Sequence, residues 1–314
     1  MELFAKREVK VSPNFRKIFT YCHAKLPSAG LGNKLFVWAR AYIFAQLNRM
    51  PLVVTGWTQP HLAPFLYGGG FRLYLNYFRS LRQVTALKRV IARRSAEVIQ
   101  DPPVAVIEPP SQSTIYEFSA VSHWSDYFGD LKPYRDGIRD GILNSITSAR
   151  RREYMFAPKP IVCVHIRLSD FRRLKEGENF AKVGNTRTPL SYFTRIICGI
   201  REIHGSEVPV MVISDGSPDQ FRELLDMPNV SLGPRNSAIV DILMMASSKV
   251  LVTSAGSTFS YWGGFLGDCA LIMHPDHIHQ SLRPRWVNER FFEGAAVGTP
   301  RNWPELLQRN ILTI

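Results

Sequence analysis

Arg167 and Asp170 follow directly on an apolar run, Ile161 to Ile166, and their types and spacing suggest chemistry on a phosphate. A guanidinium is a planar fork of donors that keeps its charge at neutral pH and matches phosphate oxygens. A carboxylate beside it can take a proton. The plainer reading of the pair is a surface ion pair at the end of a strand. Three further groups recur in the same setting. Asp215 follows Val208 to Ile213, and Ser254, Ser257 and Thr258 follow Val250 to Thr253. Gly30-Leu31-Gly32-Asn33 separates an early apolar run from a helical pattern. Backbone N–H groups at a helix N-terminus attract anions, so Ser257 and Thr258 could hold a phosphate, although both are also ordinary N-cap residues. A GxG turn without a third glycine is as often structural as functional.

The elements that must position these residues alternate. Ile161 to Ile166 lacks a polar face and reads as a strand buried on both sides. After it come a polar loop containing Gly177 and Gly184, a helix over Leu190–Ile203 and a strand over Val208–Ile213. A helix over Ser217–Leu225, a strand Val230–Leu232 and a helix Ile239–Ala246 follow. Strand Val250–Thr253, helix Thr258–Leu266 and strand Ala270–Met273 close the series. Alternation of this kind implies a parallel sheet of Rossmann type, with ligands beyond the carboxyl ends of the strands. The earlier half predicts a strand over Arg16–Cys22, a helix over Lys34–Leu47, strands over Leu52–Val54 and Val104–Ile107, and a helix over Gly137–Arg152. Phe156 to Pro160 reads as the linker, dividing the chain into domains 1–155 and 156–314. Gly56 to Gly70 is a glycine- and aromatic-rich loop, and Trp124 to Phe128 is an aromatic patch without an assigned role.

The composition is globular, with 45% hydrophobic and 21% charged residues in 314. Its formal charge of +13 and pI ≈ 9.8 favour an anionic partner such as a nucleotide, a nucleic acid or a lipid surface. Phe71 to Gln100, rich in arginine, reads as a solvated helical face, with an amphipathic helix on anionic lipid as the alternative. No helix-turn-helix, zinc-finger or RNP pattern is present, so no nucleic acid is expected. Cys22, Cys163, Cys198 and Cys269 are isolated, and Cys22 and Cys163, in apparent buried strands, read as free core thiols of a reducing compartment. Met1 to Pro13 has no apolar signal core, and no run reaches the ~20 residues of a membrane helix, so a cytoplasmic protein is expected.

Four motifs in order give the chain a resemblance to the α-1,2-fucosyltransferases of glycosyltransferase family 11, within the wider fucosyltransferase superfamily. Gly30-Leu31-Gly32-Asn33-Lys34-Leu35-Phe36 resembles that family's GLGNQMF motif, and His165-Ile166-Arg167-Leu168-Ser169-Asp170-Phe171 its HIRRGDY motif. Val212-Ile213-Ser214-Asp215 resembles its VFSDD segment. Asp241 with Ser254 to Gly264 resembles its D…NSSFSWWGA block. The resemblance implies an α/β protein of two Rossmann-like domains facing across a cleft (GT-B type), the first on the acceptor side and the second holding a GDP-sugar. It implies inverting transfer of L-fucose, or a related 6-deoxyhexose, from that co-substrate to a hydroxyl of a glycan acceptor. No metal or other cofactor is implied. An α-1,2 linkage in bacterial surface polysaccharide such as O-antigen would follow, on an acceptor that can be lipid-linked, at the inner face of the cytoplasmic membrane.

By that resemblance Arg167 holds the donor pyrophosphate, and Ser257, Thr258 and Phe259 bind phosphate oxygens. Gly32 and Asn33 reach the nucleotide from the facing domain. His165 lines the donor site or is a core residue, and Asp215 and Asp241 serve the guanine or ribose side or cap local structure. Asp170 is the first candidate for the base, with Glu176, Glu178 and His165 behind it. The family's second arginine is Leu168 here, its glycine Ser169, its glutamine Lys34 and its first tryptophan of the last block Tyr261. Arg172 or Arg173 would have to replace the missing charge. Two readings of other classes compete: a basic nucleotide- or RNA-binding protein without transferase activity, and a membrane-assembly partner docking through Phe71 to Gln100.

Overall fold

The computed structural model describes residues 19–59, 74–79, 85, 89, 93–278 and 280–314. Strands β1 (Tyr21–Lys25), β2 (Leu52–Thr55), β3 (Glu97–Gln100) and β4 (Thr114–Phe118) form one sheet in the order β2-β1-β4-β3. A second sheet contains β5 (Val162–Ile166), β6 (Val210–Ser214), β7 (Val230–Leu232), β8 (Val250–Val252), β9 (Ala270–Ile272) and β10 (Glu293–Gly294). Its order is β10-β9-β8-β5-β6-β7, and every pairing in both sheets is parallel. All five residues of β5 are buried, His165 among them, which explains why its sequence shows no alternating polar face.

The strand orders fix where ligands can sit. From β5 the chain builds outward through β6 and β7, then returns to the other side of β5 as β8. From β1 it builds to β2, then returns to the other side as β3 and β4. Each reversal opens a crevice beyond the carboxyl ends of two adjacent strands. In the second sheet that crevice lies between the loops after β5 and β8, and in the first between the loops after β1 and β4.

The second half follows the predicted series closely; the first departs from it. β1 extends to Lys25, while the expected strand began at Arg16, and 16–18 lie outside the described residues. Helix Leu31–Leu47 begins within the glycine turn, three residues before the expected Lys34. Val104 to Ile107 is not a strand, because the prolines around it remove ladder donors. The strand is β4, whose Glu117 breaks any apolar pattern yet is buried. Its oxygens receive His23 Nδ1 at 2.8 Å, Arg93 at 2.7 Å and Gln100 at 3.3 Å. Most of Phe71 to Gln100, and Gly56 to Gly70 beyond residue 59, lie outside the described residues, but the last four residues of the basic stretch form β3. Gly137 to Arg152 is two helices, Arg135–Ser145 and Ser148–Phe156. They part at Ile146, which is extended, and Thr147 caps the second by accepting the Arg150 N–H. The fold also runs past Met273, through β10 to a last helix, Glu305–Leu312, whose Leu307 and Ile311 are buried. The four cysteines are free, with Cys198 exposed. Among the described residues no helix is long and apolar enough to cross a membrane.

The two halves share one core. Helix Thr258–Leu266 belongs to the second sheet by connection, yet the first half grips it along its length. The Trp262 indole N–H donates to the Gly32 carbonyl at 2.8 Å, and the Thr258 hydroxyl donates to Asn33 Oδ1 at 3.2 Å. A Cβ on Gly32 would stand 2.6 Å from Thr258 Oγ1 and 3.0 Å from its backbone carbon, so glycine is required for this approach. At the other end, buried Arg135 donates to the Phe265 carbonyl at 2.6 Å and the Leu266 carbonyl at 3.0 Å, and pairs with Asp268 at 2.6 Å. A cation on the last carbonyls of a helix is also favoured by its dipole. Phe128 stacks on Phe265 with centroids 4.1 Å apart.

Trp262→Phe removes the bond to Gly32 and leaves that carbonyl buried, so unfolding free energy is expected to fall by about 1–3 kcal/mol. A lower urea midpoint at unchanged slope would register it. Lys34 is buried, and its ammonium donates to the Pro27 carbonyl at 2.8 Å and the Gly56 carbonyl at 2.6 Å. Burial pushes its pKa down to about 8. Lys34→Met should therefore cost about 2–4 kcal/mol in the same experiment, through two stranded carbonyls.

Candidate functional site

The two crevices open into one cleft of about 740 Å³, within the size range of small-molecule sites. Its second-half wall rests on the loop after β5. Ser254 ties that loop to the end of β8: its hydroxyl donates to the His165 carbonyl at 2.9 Å and accepts the Arg167 N–H at 2.9 Å. Asp215, at the end of β6, accepts the Leu168 N–H at 2.8 Å and the Ser169 hydroxyl at 2.7 Å. These bonds aim the Arg167 guanidinium between two carboxylates, Asp170 at 2.6 Å and Asp215 at 2.7 Å. Its side chain is only 10% exposed, so it is held in place before any ligand arrives.

Beside it, helix Thr258–Leu266 opens toward the cleft. Ser257 at its N-cap makes no side-chain capping bond, so the first-turn N–H groups have no hydroxyl capping them from that position. The turn before the helix passes through Gly256 at φ +67°, and its N–H donates to the Tyr261 hydroxyl at 2.8 Å. A phenol oxygen can accept there where an indole could not, which gives Tyr261 a physical role at a position where the resembling motif has tryptophan.

Gly32, Asn33, His165, Arg167, Asp170, Asp215, Asp241, Ser257, Thr258 and Phe259 all line this one cleft. His165 is buried in β5, with its ring 5.3 Å from that of Phe259. Glu176 is not brought in: it is exposed in the loop after β5 and absent from the cleft wall. Glu178 is engaged elsewhere, receiving Arg172 through both oxygens at 2.6 and 2.9 Å. Arg172 and Arg173 do not line the cleft either. Leu168 points into the core, where it fills the space a Cβ on Gly216 would need, so that position could not present a charge to the cleft.

Sequence reasoning missed Asn185 and Asn236, isolated amides with no pattern around them, and the wall formed by Val121, Ser122, His123, Trp124 and Tyr127. The aromatic cluster at Trp124 to Phe128 was the available signal. Its meaning depended on β4 ending just before it, and β4 was not recognised.

Asp241 lies on the cleft wall in helix Ala238–Ser247, with Asn236 Nδ2 donating at 3.4 Å. Burial, reinforced by the nearby Glu153 charge and opposed by Asn236, raises its pKa from 3.8 to about 7. Its proton is therefore bound more tightly in the folded than in the unfolded chain. The stabilisation this brings is complete below pH ~4 and is lost as pH rises through about 7. Near neutrality Asp241 is ready to ionise against a ligand that supplies N–H donors.

No family model matches the chain, and no curated protein matches it. Among solved structures, the NodZ α-1,6-fucosyltransferase soaked with GDP-fucose is similar at 14% identity and a TM-score of 0.50, covering 82% of this chain and 95% of that one. Fucosyltransferase NodZ from Bradyrhizobium is similar at 14% identity and a TM-score of 0.50, covering 83% and 97%. The likeness is one of fold: two parallel α/β sheets facing across a cleft, the GT-B arrangement.

Asp241→Asn removes the penalty of ionising a buried carboxylate. Relative to wild type, the ligand-free variant should gain about 1–3 kcal/mol at pH 8 and little at pH 4. The difference between variant and wild-type melting curves across that range measures it. Taking the difference matters because His274, whose pKa burial lowers to about 4, has the opposite trend.

Proposed function

We propose that the protein is an inverting, GDP-sugar-dependent glycosyltransferase that moves L-fucose or a related 6-deoxyhexose to a hydroxyl of a glycan. The observation that carries this reading is the convergence of Arg167 and the N-terminus of helix Thr258–Leu266 on one cleft, with Gly32 and Asn33 facing them. A diphosphate leaving group needs charge stabilisation of this kind at the point where its own charge grows. Arg167 and the N–H groups of Thr258 and Phe259 take the phosphate oxygens, and Asp241 with His165 takes the nucleoside side.

In the transfer, the acceptor oxygen bonds to the anomeric carbon as the bond from that carbon to the phosphate oxygen breaks. The bonding pair leaves with GDP. The acceptor proton goes to Asp170, whose Oδ2 holds Arg167 while buried Oδ1 has no hydrogen-bond partner among the described residues. Asp215 acts through Arg167 and the backbone of the β5 loop.

The half up to residue 155 takes the acceptor and the half from 156 the donor. Motif resemblance favours an α-1,2 linkage in bacterial surface polysaccharide, built on a lipid-linked acceptor at the inner face of the cytoplasmic membrane. The name of NodZ carries an α-1,6 linkage, so product linkage must be measured. The rival reading, a polyanion binder, is disfavoured by the cleft lining, which includes Arg167 against Asp170, Asp215 and Asp241.

GDP and GDP-fucose are expected to raise the melting temperature with or without EDTA, whereas UDP is not. Arg167→Ala should weaken GDP binding about 30- to 100-fold, the loss of a charge-assisted pair of bonds to phosphate. Silence with GDP, or an unchanged response in Arg167→Ala, would refute the proposal.

A further inference from the structure

We infer that the loop after β4 is a stacking platform for a sugar ring, with the Trp124 indole against one face of a pyranose and His123 donating to its oxygen rim. The inference rests on the transferase reading above and assigns it an acceptor contact. The loop stands at the crevice of the first sheet, opposite the phosphate-binding elements, where strand order by itself predicts a ligand.

Its base is rigid. Phe128 is fully buried and stacked on Phe265, and Tyr127 lies parallel to Phe36 at 5.7 Å. Asp126 is paired with Lys132 at 3.1 Å, and a Cβ on Gly129 would meet Asp126 Oδ2 at 2.8 Å. From this base Trp124 stands 58% exposed on the cleft wall. A large amphipathic ring carried on this base and lining the cleft offers a ligand a flat apolar face.

The chemistry of this wall differs from that facing it. Val121, Ser122, His123, Trp124 and Tyr127 bring no carboxylate and no permanent cation. They suit a neutral ligand with an apolar face and a rim of oxygens, which describes a pyranose: axial C–H bonds on its faces, hydroxyls at its edge. The His123 ring lies 5.2 Å from that of Trp124, and its Nδ1 receives the Ser125 N–H at 3.3 Å and meets the Ser125 hydroxyl at 2.7 Å. A backbone N–H can only donate, so Nδ1 is the acceptor and Nε2 carries the proton. His123 therefore offers the ligand a donor, and is a positioning group rather than the base.

The test uses methyl pyranosides of galactose, glucose, mannose and N-acetylglucosamine as probes, with saturation-transfer NMR on the full chain at tens of millimolar, where weak sugar contacts are populated. At least one probe should show transfer concentrated on the C–H groups of one ring face. Trp124→Ala should weaken that contact about tenfold, while Trp124→Phe keeps it within about threefold, as expected of stacking. The thermal response to GDP should stay intact in both variants, which also shows that they fold. Absence of transfer from every probe, or transfer undiminished in Trp124→Ala, overturns the platform. A Trp124-dependent sugar contact in a protein that ignores GDP would sustain the platform and overturn the transferase reading instead.

Discussion

The architecture depends on the close approach of two helix N-termini, one from each half of the chain. Gly32 lets the backbone of the first helix come against Thr258 and Phe259, where a single added carbon would clash with the Thr258 hydroxyl at 2.6 Å and crowd the backbone at 3.0 Å. Trp262 then locks the approach by donating to the Gly32 carbonyl, and Arg135 closes the far end of the same helix. Because the helix is gripped at both ends, its first-turn N–H groups hold their position relative to the glycine turn. In a close-packed interior this geometry is stiff, so the cleft width is set by packing.

Electrostatics in the cleft follow from that frame. Arg167 has its charge balanced by Asp170 and Asp215, which hold it without consuming every donor of its fork. Preorganisation of this sort limits the rearrangement needed when charge develops on a leaving group. Asp241 is held differently: a half-buried carboxylate with one long amide contact, whose pKa burial raises to about 7. One acid is committed to an arginine and the other awaits a partner, and their surroundings alone separate them.

Departures from the resembling motifs have local causes. Lys34 spans two loop carbonyls beneath the turn, Tyr261 supplies an oxygen that accepts the Gly256 N–H, and Leu168 packs against Gly216. All three are structural answers, and none of these side chains belongs to the cleft lining.

From β5 to β9 the order of strands and helices was legible in the residue pattern, whereas β10 and the last helix were not. The central strands β5, β8 and β9 are buried along their whole length and read as largely apolar runs, and helix Leu190–His204 shows its apolar face as a 3.6-residue period. The sequence also pointed to the ends of β5, β6 and β8 as the place for chemistry, since polar residues following apolar runs are visible without any contact map. The first half depends on contacts between distant segments. β4 was illegible because Glu117 is tolerated in a core only through His23, Arg93 and Gln100, the first of them 94 positions away in the chain. With β4 hidden, the crevice of the first sheet and the Trp124 wall were hidden too. Nor could spacing reveal that Glu176 turns outward while Asn185 and Asn236 turn in. Loop direction depends on long-range bonds such as those Asp215 makes to the β5 loop, and local sequence does not encode them.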